Sequence, residues 1–318
     1  MPLNFFSHFE RTKRMHRYAI RLPHRLDFPI GITLVVLAIV VQSSVRTAIS
    51  AEPDGSKRKI VLIAGETALV DVAGHHDYLA GNACLDALLR QTSNVEIVRV
   101  DHGWPSDESV LTNANSIVFY TDGGGKQAFL ETPARMTAIQ SLVDKGVGIT
   151  MIHQAVDFPE SVAEQAKGWL GGVYVNTASG RGHWDSNHVD FPKHPITRGV
   201  TPWQINDGWL NAIQFVDAMK DVTPLVWSGK EYAGSRAGLD KDIVAWCFER
   251  PKGGRSFAFT GLDAHSAWSL PGMRQLMVNG VLWTAGIDIP SSGAPADLNE
   301  DQLSAMLTPR TPKKTANK

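Results

Sequence analysis

The sequence predicts an α/β protein with a doubly wound, mostly parallel sheet. Short apolar runs alternate with stretches of helical period through the first half of the chain, which is typical of parallel strands joined by helices. Polar residues follow directly after several of these runs, as expected where strands carry side chains to a crevice at the carboxyl edge of a sheet. With 43% apolar and 20% charged residues in 318, the composition suits one substantial core.

The predicted elements follow one another in regular order. Residues 59–65, 95–100 and 116–121 are short apolar runs that predict the first three strands. Residues 78–90 carry an apolar face at helical spacing, and residues 133–145 predict a second helix that leads into the central strand. Strands that alternate with helices in this way indicate a parallel sheet.

The central strand is predicted at residues 147–152, and it ends at His153. A turn follows, and then a helix that is signalled by Asp157, Pro159 and Glu160. Many hydrolases place a nucleophile on such a strand–turn–helix elbow, whereas this chain presents an imidazole. We therefore expect His153 to face the ligand crevice.

The second half of the chain is less regular. Residues 173–240 are rich in Gly, Asn, Asp, His and Trp, which predicts loops and edge strands laid over the top of the sheet. Residues 243–248 and 256–260 flank a Pro-Lys-Gly-Gly turn and predict a hairpin. Residues 273–285 predict a closing helix, and residues 288–318 a flexible tail with a short amphipathic patch near 301–307.

The N-terminal 51 residues resemble a secretory signal. A basic region precedes an uncharged apolar run at residues 30–41 and the small residues Ala48, Ser50 and Ala51. The run is shorter than the roughly 20 residues of a comfortable membrane span, but an uncleaved membrane anchor remains the alternative. Either interpretation predicts export to the periplasm or cell envelope.

Charge argues against a nucleic-acid partner. Residues 1–51 hold seven Lys/Arg and two Asp/Glu, and residues 305–318 hold four and none, which leaves 20 basic and 30 acidic side chains between them. Cys84 and Cys247 are far apart in sequence and form no CxxC motif. Two buried free thiols are the preferred interpretation, with a disulfide as the alternative.

Titratable side chains follow the predicted strands and should meet at one rim of the sheet. Imidazoles and carboxylates together suit either a divalent metal or an acid/base pair. An isolated loop histidine is usually only hydrogen-bonded, but His153 and His265 lie where predicted strands carry side chains to the crevice and are the stronger candidates. The residues that follow the strands are Glu66, His75, His76, Asp77, Asp101, His102, Asp122, His153, Asp263 and His265, and the irregular segment adds His183, His188, His194 and Asp207.

The glycine run after the third strand has two interpretations. Asp122 and the glycines that follow it, including Gly124, can bring backbone N–H groups to a phosphate or oxyanion, or can simply form a tight turn. GxGxxG and a Walker lysine are both missing from the sequence, so no nucleotide is expected. There is also no GxSxG, and neither cysteine follows a strand at an elbow, which argues against nucleophilic catalysis.

The chain has nine tryptophans, and four of them adjoin the polar rim. A flat aromatic ring can stack on the apolar face of a sugar, although each ring alone is more often a packing residue. The four are Trp104, Trp184, Trp209 and Trp268.

An ordered series of motifs from about residue 59 to 287 resembles the ThuA-like (trehalose utilisation) family, and exported planctomycete-type members most closely. The matching stretches are GHHDYLAGN (74–82), DHGWP (101–105), TDGGG (121–125), GITMIHQAVDFP (148–159), HPITRGV (194–200), INDGW (205–209), VAWCFERPKGGRSFAFTG (244–261) and NGVLWTAG (279–286). The resemblance implies a flavodoxin-like, class I glutamine-amidotransferase-like fold without the cysteine nucleophile, here in a domain at residues 52–287.

The resemblance also implies a role in sugar metabolism. It points to a polar, metal-binding site at His153 and His265, with His76 and His183 as companions. Two positions depart from the pattern, because relatives often carry a histidine in place of Asp263 and an acidic residue in place of Gly208. The second change removes a candidate acid or base.

Our leading hypothesis is an exported, metal-assisted enzyme that hydrolyses or isomerises a sugar or an oxidised sugar derivative. The rivals are a non-catalytic carbohydrate-binding or scaffolding module and a membrane-anchored interaction protein. Expected partners are a small-molecule carbohydrate, the membrane through the N-terminal apolar segment, and a second copy of the chain. The candidate catalytic residues are His153, His265 and Asp263; the candidate ligands of a divalent metal, zinc first, are His76, His153, His183 and His265; and the candidate substrate-binding residues are Trp104, Asp122, Gly124, Trp184, Asp207, Trp209 and Trp268.

Overall fold

A computed structural model describes residues 56–66, 74–228 and 242–309. The predicted signal or anchor at residues 1–51 and the last nine residues lie outside these ranges. Within the described part of the chain, none of the helices combines the length and the apolar character that a membrane span needs.

Eleven strands and five helices make up the described fold. The strands are β1 (Arg58–Ala64), β2 (Val95–Val100), β3 (Ser116–Tyr120), β4 (Gly148–Ile152), β5 (Gly172–Val173), β6 (Gly180–His188), β7 (Trp203–Asn211), β8 (Gln214–Phe215), β9 (Val222–Trp227), β10 (Ile243–Glu249) and β11 (Arg255–Phe259). The helices are α1 (Tyr78–Leu89), α2 (Pro133–Asp144), α3 (Glu160–Leu170), α4 (Pro271–Thr284) and α5 (Glu300–Met306).

Seven strands form the central sheet, in the order β2-β1-β3-β4-β11-β10-β9. The first five of these are mutually parallel, and β10 runs antiparallel to both of its neighbours. The predicted α/β class and the mostly parallel sheet are therefore confirmed, as is the hairpin of β10 and β11. Because β4 lies beside β11, the residues that follow these two strands are close in space.

Both faces of the sheet are buried, and the side chains of β1 point alternately to the two faces. Ile60, Leu62 and Ala64 belong to one apolar cluster, while Val61 and Ile63 belong to the other. The first cluster includes side chains of α1 and α4, and the second includes side chains of α2 and α3. Helices on both faces explain why the central strands are continuous apolar runs, as doubly wound sheets require.

A separate two-stranded ribbon, β6 paired with β7, is the main structure of the irregular segment. Its side chains alternate, so that Trp184, Ser186 and His188 are buried while His183 and Asp185 are exposed. In the register of the pair, His183 lies opposite Gly208. Only loops and edge strands were predicted from the sequence here. One face of the ribbon is polar, so the two strands contain few apolar residues and no strong strand pattern.

The expected flexible tail is wrong for residues 288–300, which pack against the domain, whereas the amphipathic patch predicted near 301–307 forms most of α5. Ile289, Ala294, Leu298 and Leu303 are buried. Leu303 lies on α5, which packs on α1, and a capping box at Asn299 begins the helix. Burying one leucine stabilises by about 1.5–3 kcal/mol, so a few well-spaced apolar residues can hold a segment of polar composition.

Cys84 and Cys247 are free and buried, as predicted. Burial raises the pKa of each thiol to about 12. Neither sulfur therefore provides a thiolate at neutral pH.

Candidate functional site

The carboxylate of Asp263 is the centre of a histidine cluster at the carboxyl end of the sheet. Asp263 follows β11 and is only 2% exposed. Its Oδ1 lies 2.8 Å from His76 Nε2 and 3.4 Å from His153 Nε2. Its Oδ2 lies 2.7 Å from His183 Nε2 and 2.9 Å from His75 Nδ1. One carboxylate therefore has two imidazoles at each oxygen.

Asp207 fixes the loop that carries Asp263. Its carboxylate accepts hydrogen bonds from the backbone N–H groups of Leu262 (2.7 Å), Ala264 (3.1 Å) and Gly208 (2.9 Å). We predicted from the sequence that Asp207 binds substrate. It is instead 1% exposed, and its oxygens accept hydrogen bonds from the backbone. Its contribution is to position Asp263, which lies between two of the residues that it holds.

His153 lies at the elbow that the sequence predicted. Its backbone adopts a left-handed conformation with φ of 55°, which is uncommon for a residue other than glycine. Nδ1 donates a hydrogen bond to the Thr260 carbonyl at 3.0 Å. That bond leaves Nε2 as the lone-pair nitrogen of the neutral ring, and Nε2 is the atom that faces Asp263.

His75 and His76 come from the loop before α1. His75 forms an isolated antiparallel bridge with Ala264, and the backbone N–H of His76 donates to the Asp263 carbonyl at 2.9 Å. His76 also has a positive φ, of 49°, and its ring stacks on Tyr78 at 5.8 Å. These contacts clamp the loop onto the turn after β11, which explains why two adjacent histidines reach opposite oxygens of one carboxylate.

His183 reaches the cluster from the β6–β7 ribbon, and Gly208 makes room for Asp263 beside it. A Cβ atom at position 208 would lie 2.6 Å from Asp263 Oδ2 and 2.8 Å from Asp263 Cγ. Position 208 is where the family resemblance led us to expect an acidic side chain. The space next to it is filled instead by the carboxylate of Asp263, so the site has not lost its carboxylate.

The contacts within the cluster shift the pKa values of Asp263 and His153. Burial alone would raise the pKa of Asp263, but contacts with His153 and His76 outweigh it and hold the pKa well below its usual value. Burial likewise lowers the pKa of His153, and the hydrogen-bonding and charge interactions with Asp263 outweigh it to give a net increase. Both shifts favour the charged forms, a carboxylate on Asp263 and an imidazolium on His153.

Two buried atoms of the cluster form no well-directed hydrogen bond, although Asp263 Oδ1 has His76 Nε2 at 2.8 Å. These are His153 Nε2 and Asp263 Oδ1, which face each other at 3.4 Å. Buried polar atoms are nearly always paired, so such a couple calls for a proton, a ligand or an ion between them. Imidazole nitrogens with one carboxylate are the donor set of zinc and related divalent metals. The residues therefore fit the metal that the sequence predicted.

The ligand atoms form two groups of three, each within 4.8 Å, and they share Asp263. One group is His76, His153 and Asp263, and the other is His75, His183 and Asp263. Three of the four predicted metal ligands, His76, His153 and His183, are thus brought together.

His265 lies apart from both groups. Its Nε2 donates to the Leu303 carbonyl of α5 at 3.0 Å, and its backbone N–H donates to Gly74. The residue begins a short 3₁₀ turn, which directs its ring away from the strand end. The structure thus separates His265 from His153, and it links the site loop to the C-terminal helix instead.

A polar cavity of about 300 Å³ adjoins the cluster. It is connected to the cluster through Gln154, which lines the cavity and whose side-chain nitrogen lies 3.1 Å from His76 Nε2. Asp122 and Gly124, two of the predicted substrate-binding residues, line its wall. Lys126, Asp157, Asn176, Thr177 and Arg181 are among the other lining residues.

The glycine run in the cavity wall is a tight turn. Gly124 has φ of +64°, and its N–H donates to the Asp157 carbonyl at 2.8 Å. The N–H groups of Gly123 and Gly125 are taken by the side chains of Asp122 and Gln127. All three amides therefore have protein acceptors, which favours the turn interpretation over an anion-binding loop.

Asp157, in the cavity wall, has a raised pKa. Burial raises its pKa to about 6, although the Arg181 guanidinium, 3.6 Å from Oδ2, acts in the opposite direction. An acid that titrates near neutrality beside a histidine cluster can exchange protons with a bound hydroxyl.

Three of the four predicted substrate-stacking tryptophans are packing residues. Trp209 and Trp268 are at most 1% exposed, and Trp184 is 9% exposed. Trp209 Nε1 donates to the Trp184 carbonyl at 3.2 Å, inside the apolar cluster. Trp104 is half-buried and interacts with Glu108 and Arg135. Sequence position placed these rings beside the rim, but their large apolar area is better used in the core.

The positions of Gln154 and Asp157 in the cavity wall, and of His75 beside Asp263, were not predicted from the sequence. His75 was noted as a polar residue after the first strand, but it was not counted as a ligand beside His76. Adjacent residues in an extended strand point in opposite directions, and only the positive φ of His76 brings both imidazoles to Asp263.

Comparisons with known proteins agree with this architecture. Residues 61–284 match the model of the ThuA family, described as trehalose utilisation. A ThuA-like protein from Bacteroides uniformis has 16% identity and a TM-score of 0.52, covering 76% of this chain and 96% of its own. A ThuA-like protein from Parabacteroides merdae has 11% identity and a TM-score of 0.51, covering 76% and 98%. No curated protein is significantly similar to this chain.

At these identities the two solved structures establish the fold alone, and both have nearly their whole length covered by this chain. The family model spans more than half of the sequence and begins and ends within the sheet and helices described above. This chain is a member of the ThuA family, which is associated with carbohydrate utilisation.

Proposed function

We propose that this protein is an exported enzyme of carbohydrate metabolism that uses a divalent metal to hydrolyse or isomerise a sugar or an oxidised sugar derivative. The observation that carries the proposal is the convergence of two imidazole nitrogens on one buried carboxylate oxygen: His153 Nε2, which forms no well-directed hydrogen bond, lies 3.4 Å from Asp263 Oδ1, and His76 Nε2 lies 2.8 Å from it. A divalent ion held by these three residues would polarise a substrate oxygen and lower the pKa of bound water to about 7.

The chain's own residues would set up the chemistry in three ways. Thr260 fixes the tautomer of His153, and Asp207 fixes the loop of Asp263, so that the ligand atoms converge without rearrangement. Gln154 connects the cluster to the polar cavity, where hydroxyl groups of a sugar would be held. Asp157 would take or return a proton there, because its pKa is about 6.

The geometry gives less support to a non-catalytic carbohydrate-binding module. Such modules present aromatic rings to the sugar, whereas the rings of Trp184, Trp209 and Trp268 are buried here.

Metal content of the purified full chain, measured by elemental analysis, tests the proposal. We expect at least one divalent ion per chain in the wild type and a lower content in His153→Asn. His102→Asn is the matched control, because His102 also has positive φ (68°) but forms an exposed pair with Glu66. Asparagine tolerates this backbone conformation, so neither change should unfold the chain.

Turnover is the second readout. We expect the wild type to convert a disaccharide or its keto derivative, followed by NMR of the products, and His153→Asn and Asp263→Asn to lose that activity. The proposal fails if the wild type binds no divalent metal, or if both variants turn over substrate as the wild type does.

A further inference from the structure

The carboxylate of Asp263 interacts with a separate pair of histidines through each of its two oxygens. We propose that Asp263 bridges two divalent metal ions, one held by His76 and His153 and the other by His75 and His183. The inference extends the proposed function, which requires only one ion, and it rests on that function for the role of the site.

The geometry favours two ions because the two groups of ligand atoms use opposite oxygens. His76 and His153 approach Oδ1 at 2.8 and 3.4 Å. His75 and His183 approach Oδ2 at 2.9 and 2.7 Å. Divalent ions such as zinc lie about 2.0–2.2 Å from nitrogen and oxygen ligands, and in two-metal sites the ions are about 3.5–4 Å apart. A carboxylate with one ion at each oxygen matches that spacing.

Each group also leaves coordination positions open. Three protein ligands and a position for water or substrate are the usual pattern of catalytic metal sites, whereas structural sites are filled by four. Both groups here consist of two imidazoles and the shared carboxylate. Two such groups side by side provide adjacent open positions, at which one substrate oxygen could contact both ions.

Hydrogen bonding alone accounts poorly for the cluster. The Thr260 carbonyl takes the Nδ1 proton of His153, so the Nε2 lone pair of the neutral ring faces a carboxylate oxygen. Only a second proton on His153 or a cation between the two atoms makes that contact favourable. A protonated cluster is therefore the alternative, and it binds no metal.

The two ions should differ in affinity because the two histidine pairs differ in exposure. The side chains of His76 and His153 are 21% and 3% exposed, whereas those of His75 and His183 are 26% and 58% exposed. His183 also lies on the β6–β7 ribbon, outside the central sheet. We expect the buried group to bind first and the ribbon group to bind the more weakly held ion.

Charge indicates the kind of substrate. Two divalent ions would leave an excess of positive charge even when the carboxylates of Asp263 and of the nearby Asp207 are both counted. Such a site stabilises an oxygen that becomes negative during the reaction, as in proton removal next to the carbonyl of an oxidised sugar.

Titration of the metal-free full chain with Mn²⁺ tests the bridge. We expect two ions per chain in the wild type, one in His183→Ala and at most one in Asp263→Asn. His183→Ala changes a largely exposed side chain and should fold normally, which circular dichroism will check. His102→Asn serves as the control and should bind two ions.

Electron paramagnetic resonance then distinguishes a bridged pair from two independent ions. The wild type with two equivalents of Mn²⁺ should show magnetic coupling between the ions, and His183→Ala should show the signal of an isolated ion. One ion in both the wild type and His183→Ala, or two ions without coupling, would overturn the bridge and leave the proposed function standing. No bound ion in any form would contradict both proposals.

Discussion

Gly208→Ala is the most direct test of the way this site is built. Gly208 is in β7, opposite His183, and its α-carbon faces the Asp263 side chain. The added methyl group would lie 2.6 Å from Asp263 Oδ2 and 2.8 Å from both Cβ and Cγ. Carbon atoms do not approach that closely, so Asp263 must move. The loop that carries it is held by Asp207, so the movement strains a fixed segment.

The expected loss of stability follows from these contacts. Inserting one methyl group into a filled site typically costs about 1–3 kcal/mol of unfolding free energy. If Asp263 leaves its place entirely, the loss should approach the roughly 3–5 kcal/mol of a broken buried ion pair. We therefore expect Gly208→Ala to lower the free energy of unfolding by at least about 1 kcal/mol, together with a lower metal content.

Gly182→Ala is the matched control on the other strand of the ribbon. A Cβ atom there would meet only the Trp184 ring, at 3.7 Å, which is ordinary van der Waals contact. Neither glycine has positive φ, so both variants have the same change in chain entropy, which alone stabilises by about 0.4–1 kcal/mol. Urea unfolding followed by tryptophan fluorescence, with elemental analysis of the same samples, gives both quantities.

Equal urea midpoints and equal metal contents for the two alanine variants would contradict this role of Gly208. That result would mean that the Asp263 carboxylate moves freely, and that its four imidazole contacts do not hold it in place. A loss of metal without a loss of stability would show instead that the carboxylate rearranges at little cost.

Three further predictions concern the surroundings of the site. Asp207→Asn should destabilise by about 1–3 kcal/mol in urea unfolding, because an amide cannot accept hydrogen bonds from all three backbone N–H groups; an unchanged midpoint would contradict this. Burial lowers the pKa of His188 from 6.5 to about 4, so the unfolded chain takes up its proton first as pH falls, and stability should drop by about 2 kcal/mol from pH 7 to 5. That part of the pH dependence should vanish in His188→Asn. Cys84 and Cys247 should react with a thiol reagent at pH 8 only after unfolding, because burial raises their pKa values to about 12.

The fold could be predicted well because its signals are local. The buried strands are uninterrupted apolar runs, and β4 with the elbow after it was predicted within one residue of its bounds. The C-terminal segment was predicted less well, since polar composition outweighed four buried apolar residues. Whether such residues find a surface depends on α1, more than 200 positions earlier in the chain, and no local pattern records that contact.

Only part of the site could be predicted, again because local sequence signals locate some side chains and not others. Strand ends locate His153 and Asp263 well, because the position after a strand fixes where a side chain emerges. The same rule fails for His265, since it begins a 3₁₀ turn one residue after Ala264 and faces α5. The rule also does not predict that His75 contacts Asp263, because the direction of the His75 side chain depends on the left-handed backbone of its neighbour His76.

The pair Gly208 and Asp263 shows why residue identity alone is a weak guide to function here. The family resemblance led us to expect an acidic residue at position 208, and its replacement by glycine suggested the loss of a carboxylate. In the folded chain the two positions touch, and the missing side chain at 208 is what admits the carboxylate of Asp263. A cluster of imidazoles needs a negative charge at one place in space, and a side chain at either position could supply it. Because the side chain of residue 263 fills the space beside position 208, we expect a substitution at either position to damage the site.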